Sequence, residues 1–262
     1  MTDARDLARQ YLEQQRRLGT GVMVLGDAPT SVTPPAAPSV SDTRLPEPAA
    51  TPAAASAELP PAGISFDPPA SDLFSEDPVP RAPTLTAIAE LVAQCTRCRL
   101  CEARTKTVPG EGASEARLVV VGEGPGRTED ATGRPFVGQA GELLTKILAA
   151  IGLERGQVFI CNVVKCRPPE NRVPQYDEVS ACVPYLYRQI ELIRPRVILA
   201  MGGTAAQTLL NTKQSLGALR NKTHRFRGTP LIVTYHPAAL LRNPNWKRPT
   251  WDDVRLARRF FD

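Results

Sequence analysis

Four short apolar runs, 118–121, 158–164, 197–201 and 231–235, alternate along the chain with helical patterns at 141–151, 178–193, 204–210 and 251–261. A strand that is apolar on both faces cannot lie at a solvated surface, so strands of this kind pair in a parallel sheet with the intervening helices covering both sides. The expected architecture is α/β, a three-layer α/β/α sandwich around a central parallel four-stranded sheet. Ligands of such sheets bind beyond the carboxyl ends of the strands. Glu123, Asn162 and His236 each fall at or just after a strand end, which brings three strand ends to one site.

The sandwich occupies only the later part of the 262 residues. Fourteen of the 26 prolines lie between Pro29 and Pro83, in a stretch of Pro, Ala, Ser and Thr whose only aromatics are Phe66 and Phe74. Such a composition buries too little apolar surface to offset the entropy of ordering its backbone. Residues 26–83 are therefore expected to be a disordered Pro/Ala-rich linker, residues 1–25 to carry a short helix, and residues 84–262 to form the folded domain. Leu7, Tyr11, Leu12 and Leu18 place one apolar stripe on that first helix, and Gly19 and Gly21 end it. It reads as a solvated helix or as a partner-binding one. The acidic and apolar patch Ser71, Asp72, Leu73, Phe74, Ser75, Glu76, Asp77 is a second candidate for recruiting a replication or repair protein.

Charge is divided along the chain: residues 1–83 carry net −5 and residues 84–262 net +10. A compact basic domain attracts polyanions, because neutralising phosphates releases condensed counterions. Charge alone fits RNA as well as DNA. The amino terminus is charged, and no apolar run approaches the ~20 residues of a membrane span, so neither secretion nor a membrane is expected. The expected location is the cytoplasm, at the nucleoid, and the expected state a monomer. In a reducing compartment clustered cysteines are more often ligands than disulfides.

The cysteines are clustered: Cys95-x2-Cys98, then Cys166 68 positions on, and Cys182 a further 16 along. Each alone reads as a small buried hydrophobe; together they read as a thiolate ligand set, for an iron–sulfur cluster or for zinc. Between and after them stand Gly122-Glu123-Gly124-Pro125-Gly126, Thr132-Gly133-Arg134-Pro135-Phe136-Val137-Gly138, Asn162-Val163-Val164-Lys165-Cys166-Arg167-Pro168-Pro169 and His236-Pro237-Ala238-Ala239-Leu240-Leu241-Arg242. The first is not a dinucleotide loop, because Pro125 removes a backbone donor and Arg127 breaks the glycine spacing. Taken singly, Phe136 reads as core, Asn162 as a backbone-bonding strand end and His236 as a surface histidine.

In order and spacing these motifs resemble the family 4 (iron–sulfur) uracil-DNA glycosylases, over roughly residues 90–262. The resemblance implies a monofunctional enzyme of base-excision repair that hydrolyses the N-glycosidic bond of deoxyuridine in DNA. It implies a [4Fe-4S] cluster on Cys95, Cys98, Cys166 and Cys182; the spacing Cys95-x2-Cys98-x2-Cys101 makes Cys101 a competing ligand, and Cys161, inside a strand, is expected to be a buried free thiol. It implies an imidazole N–H of His236 at uracil O2, Asn162 reading O4 and N3–H, Phe136 stacking on the base, and the backbone around Glu123, Gly124 and Gly126 closing the pocket. Gly124 stands where a related family has its carboxylate. Glu129 is then expected at the pocket, excluding the thymine methyl or orienting water, with Glu123 the second candidate; a helix N-terminal role is the alternative for either. Leu240, ahead of Leu241, is the expected wedge into DNA, and Arg242 the phosphate contact. His224 is given no role. Two other readings are a covalent uracil-trapping relative, disfavoured because residues 167–181 hold no histidine, and a non-catalytic Fe–S DNA-binding module.

Overall fold

The computed structural model describes residues 77–261. The helix expected within residues 1–25 and residues 26–76 of the expected linker lie outside the described residues.

Six strands form one sheet: β1 (Glu111–Gly112), β2 (Leu118–Gly122), β3 (Phe159–Asn162), β4 (Val197–Met201), β5 (Thr223–Phe226) and β6 (Thr229–Thr234). Their order is β1-β3-β2-β4-β6-β5. The inner four are parallel, in register through Val120 opposite both Ile160 and Leu199, and Leu199 opposite Ile232. These are the four expected strands. The expectation of an all-parallel sheet is corrected at the edges, where β1 and β5 pair antiparallel with β3 and β6. Neither edge strand has an apolar run: β1 is two residues long, and β5 is largely exposed and basic.

The helices are α1 (Leu85–Ala93), α2 (Leu100–Ala103), α3 (Arg127–Thr132), α4 (Gln139–Ala150), α5 (Tyr176–Ile193), α6 (Gly203–Leu210), α7 (Leu216–Leu219), α8 (Pro237–Arg242) and α9 (Lys247–Arg258). Side chains alternate across the sheet with period two. Val119, Val121, Cys161, Ile198, Ala200 and Val233 face one layer, with Ile88 and Val92 of α1, Leu186 and Ile190 of α5, and Ala205 and Leu209 of α6. Leu118, Val120, Ile160, Leu199, Met201 and Ile232 face the other, with Leu144 and Leu148 of α4 and Val254 and Ala257 of α9. Both faces of the sheet are therefore dry, as the continuous apolar strands require.

The folded unit reaches further toward the amino terminus than Thr84. Val79 and Ala82 are buried, Arg188 Nε donates to Ala82 O at 2.9 Å, and Arg97 Nη1 donates to Asp77 Oδ2 at 2.8 Å. At the other end, α9 begins four residues before the expected Trp251, and Thr250 Oγ1 bonds back to Trp246 O at 2.8 Å across its first turn.

Asp253 of α9 is a buried carboxylate that fastens three segments. It accepts from Arg220 Nε at 2.7 Å, from Thr234 Oγ1 at 2.8 Å and from the Asn221 N–H at 3.3 Å. Removing one partner of a buried pair strands the other, at a cost of about 3 kcal/mol. Asp253→Ala should therefore lower the unfolding free energy by about 3 kcal/mol in urea denaturation. Asp253→Asn, which keeps an acceptor, should lose less.

Candidate active site

Parallel strands end on one side of the sheet, and the loops after β2, β3, β4 and β6 meet there around a cleft of about 620 Å³. Glu123, Phe136, Asn162, Gly202, His236 and Arg242 line it, so three strand ends meet in one place, as expected.

Asn162, the last residue of β3, is 1% exposed, and its Oδ1 is buried with no hydrogen-bond partner among the described residues. Its position depends on Gly122: a Cβ there would lie 2.4 Å from Asn162 Oδ1 and 2.5 Å from Phe136 Cζ. Phe136 closes one wall with its backbone at φ 51°, the left-handed region that non-glycine residues rarely adopt. The conformation is held from outside. Arg155 donates to Phe136 O at 3.0 Å and to Pro135 O at 2.8 Å, and is itself held by Glu111 Oε1 at 2.8 Å. Gly141 leaves room for that carbonyl, since a Cβ at 141 would stand 1.8 Å from Phe136 O.

His236 caps α8, with Pro237 at the first helical position. The Ala238 N–H donates to Nδ1 at 3.2 Å, so in the neutral ring Nδ1 is bare and the proton is on Nε2. Burial, reinforced by the Arg242 guanidinium, pushes the His236 pKa down to about 4. The imidazole is therefore neutral at physiological pH and is an N–H donor from Nε2. Its ring lies 5.4 Å from that of Phe136, tilted by 31°. Gly202, at φ 97°, brings the β4 end within 3.3 Å of the His236 Cβ, measured from where its own Cβ would be.

The two carboxylates have different fates. Glu129 lines the cleft, but its carboxylate is taken up by backbone: Val137 and Gly138 N–H donate to Oε1 at 2.8 and 2.9 Å, and Gly126 N–H to Oε2 at 3.1 Å. The helix N-terminal alternative is the one this geometry realises, and Glu129 ties the glycine loop to the entry of α4. Glu123 also lines the cleft, with Oε2 accepting from Thr204 Oγ1 at 2.5 Å. Gly124 and Gly126 also line the cleft. Residues 237–242 form α8, which packs on α4 and leaves Leu240 1% exposed. Leu240 is core rather than wedge; Leu241 is 47% exposed at the helix end beside Arg242. His224 of β5 bonds Leu219 O of α7 at 2.7 Å.

Cys95 after α1, Cys98 before α2, Cys166 after β3 and Cys182 in α5 all belong to one packed cluster of the core, and Cys101 does not. Arg104 Nη1 donates to Cys166 Sγ and the Lys165 N–H to Cys182 Sγ, both at 3.2 Å. Burial pushes the Cys98, Cys166 and Cys182 thiols up, Cys182 to about 12. Among the described residues no three His, Cys, Asp or Glu side chains close into a compact site for one metal ion. Cys161 is buried in β3, as expected of a free thiol. Nearby, buried Glu178 accepts from Arg172 at 2.6 and 2.8 Å and from Arg99 at 2.9 Å, and hydrogen bonding to Arg172 holds its pKa down at about 2.

Residues 109–256 match the uracil DNA glycosylase superfamily. The chain is 46% identical to a type-4 uracil-DNA glycosylase of Sulfurisphaera tokodaii, over 67% of this chain and 84% of that one. It is 46% identical to the Thermotoga maritima type-4 enzyme, over 69% and 96%. A type-5 uracil-DNA glycosylase of Pyrobaculum aerophilum is 30% identical over 61% and 78%. The chain thus belongs to the uracil-DNA glycosylase superfamily. Within it, it belongs to the type-4 family.

Several residues that shape the site carry no sequence signal of their own. Arg155 and Thr204 act on it from distant segments. Lys165 is 1% exposed: its Nζ donates to Asn162 O at 2.8 Å and to Gln189 Oε1 at 2.7 Å, and Gln189 reaches Pro109 O at 2.7 Å. A buried lysine beside two cluster cysteines is a detectable oddity only after burial is known. Lys165→Met would leave both acceptors unpaired, so it should lower stability by about 2–3 kcal/mol. Chemical denaturation measures this.

Proposed function

We propose that this chain hydrolyses the N-glycosidic bond of deoxyuridine in DNA, releasing uracil and leaving an abasic site. One observation carries the reading: the Asn162 amide oxygen is buried without a partner at the wall of a cleft that also holds a neutral histidine. An unpaired buried acceptor is costly unless a ligand donates to it. Uracil N3–H is such a donor, and the Asn162 amide N–H can in turn reach O4. Cytosine offers the reverse pattern, an acceptor at N3 and a donor at the exocyclic amine, so it is refused. The base is stacked against Phe136.

As the C1′–N1 bond breaks, its electrons pass to the uracil ring and positive charge develops on the sugar. The Nε2–H of His236, pointed at O2, stabilises the departing anion as its charge grows, which is where a hydrogen bond accelerates the reaction. Water then adds to C1′, and the proton it gives up is taken up by the uracil anion through solvent, so that neutral uracil and the C1′ hydroxyl are the products. Glu123 is the carboxylate assigned to orient that water, because the Glu129 oxygens are occupied by backbone donors. Leu241 takes the wedge role and Arg242 the phosphate contact.

Cys95, Cys98, Cys166 and Cys182 are the proposed holders of a [4Fe-4S] cluster. In support, the four lie near enough for their charges to act on one another, N–H groups point at two of the sulfurs, and thiols pushed up by burial become thiolates only beside positive charge. The cluster would join the α1–α2 segment to β3 and α5.

The direct test is turnover. A small amount of protein should release many equivalents of free uracil from single-stranded, U·G and U·A oligonucleotides; at most one equivalent, left attached to protein, would mean trapping instead. In single-turnover assays His236→Ala should lose a factor on the order of 10²–10³, and Leu241→Ala should lose more on duplex than on single strands. Since His236 stays neutral until the pH falls to about 4, the acid limb of the wild-type rate should lie there; a limb near the ordinary histidine value would displace His236 from its role.

The purified protein should be brown, with four irons. Cys166→Ser and Cys182→Ser should lose iron and stability together, while Cys101→Ser keeps both. Stoichiometric zinc in active, colourless protein would overturn the cluster.

A further inference from the structure

The rim of the cleft carries an aromatic stack that the reaction does not use. Trp246, in the turn Pro244–Trp246 leading into α9, stacks on Tyr235 with ring centroids 4.6 Å apart and planes 4° from parallel. The Arg220 guanidinium lies 4.2 Å over the same Tyr235 ring. Arg220 is fixed by Asp253 Oδ2 at 2.7 Å and Pro249 O at 2.8 Å, so the stack is braced from a buried carboxylate. Trp246 is nonetheless 37% exposed and lines the cleft together with His236, the neighbour of Tyr235. Arg242, Lys247 and Arg248 are exposed around it.

We propose that the Trp246 indole is a stacking platform for an unpaired nucleobase next to the uridine, which makes a single strand the preferred form of DNA. The proposal rests on the reading of DNA as the substrate. One face of the indole is covered by Tyr235, and a rigid aromatic surface beside exposed cations is what binds single-stranded nucleic acid: bases stack on the ring while the cations follow the phosphates. The ring is already fixed, so little side-chain freedom is lost on binding. In a duplex the neighbouring base is paired and stacked on both sides, and offering it to Trp246 requires undoing those contacts.

The chain has two tryptophans, so Trp251→Phe makes Trp246 the sole indole. Titrating that variant with a uracil-free single strand should quench its fluorescence, and the matching duplex should quench it far less. Trp246→Ala should weaken single-strand binding on the order of tenfold and leave duplex binding nearly unchanged. Trp246→Phe, which keeps a stacking ring, should restore most of the loss, and circular dichroism checks that both variants fold. Equal quenching by strand and duplex, or an unchanged strand-to-duplex ratio in Trp246→Ala, overturns the proposal. Uracil release by wild-type protein separates the two readings. Turnover with an indifferent Trp246 removes the platform alone, whereas strand-specific quenching without turnover keeps the platform and removes the glycosylase activity.

Discussion

At Gly122 the sheet has no space for a side chain, and the site is organised around that fact. The Asn162 amide oxygen and the Phe136 ring both occupy volume that a Cβ would need. An unpaired amide oxygen and an aromatic wall of the cleft therefore meet over one bare backbone unit. The rest of the site holds these two in place. Arg155, anchored by Glu111, fixes the Pro135 and Phe136 carbonyls, and Glu129 ties the glycine loop to the start of α4. Strain at Phe136 is tolerable because its neighbours over-determine it.

A second chain of contacts runs from the cleft to the cysteines. Lys165 holds the Asn162 carbonyl with its ammonium, and its backbone N–H reaches the Cys182 sulfur. The next residue is Cys166, whose sulfur receives Arg104. Only three residues thus separate Asn162 from Cys166, and the buried ammonium spans that interval. Anything that orders the cysteines also orders the end of β3.

The histidine illustrates how environment decides chemistry. An exposed imidazole near its ordinary pKa would be partly cationic, whereas burial beside Arg242 keeps this one neutral, with its proton on Nε2 because Nδ1 caps α8. An N–H donor without a net charge gains strength wherever negative charge grows on its partner.

The four inner strands, most of the long helices and the residues of the cleft were legible in the amino-acid sequence, because apolar periodicity and rare local motifs are written in neighbouring positions. The two edge strands were not, since two residues at β1 and a basic half-exposed β5 bury too little to leave a pattern. The roles of individual side chains depended on distance. The sequence put Glu129 ahead of Glu123, and only folding spends the Glu129 oxygens on Gly126, Val137 and Gly138. Leu240 and Leu241 are identical neighbours, and the turn of α8 sends one into the core and the other to solvent. The sequence by itself determined which chemistry is present and that it lies at the strand ends. Tertiary structure decided which copies of that chemistry are free to act, because availability is a matter of burial and hydrogen-bond partners: loop residues only three to nine positions away take up Glu129, and Thr204, 81 positions away, reaches Glu123.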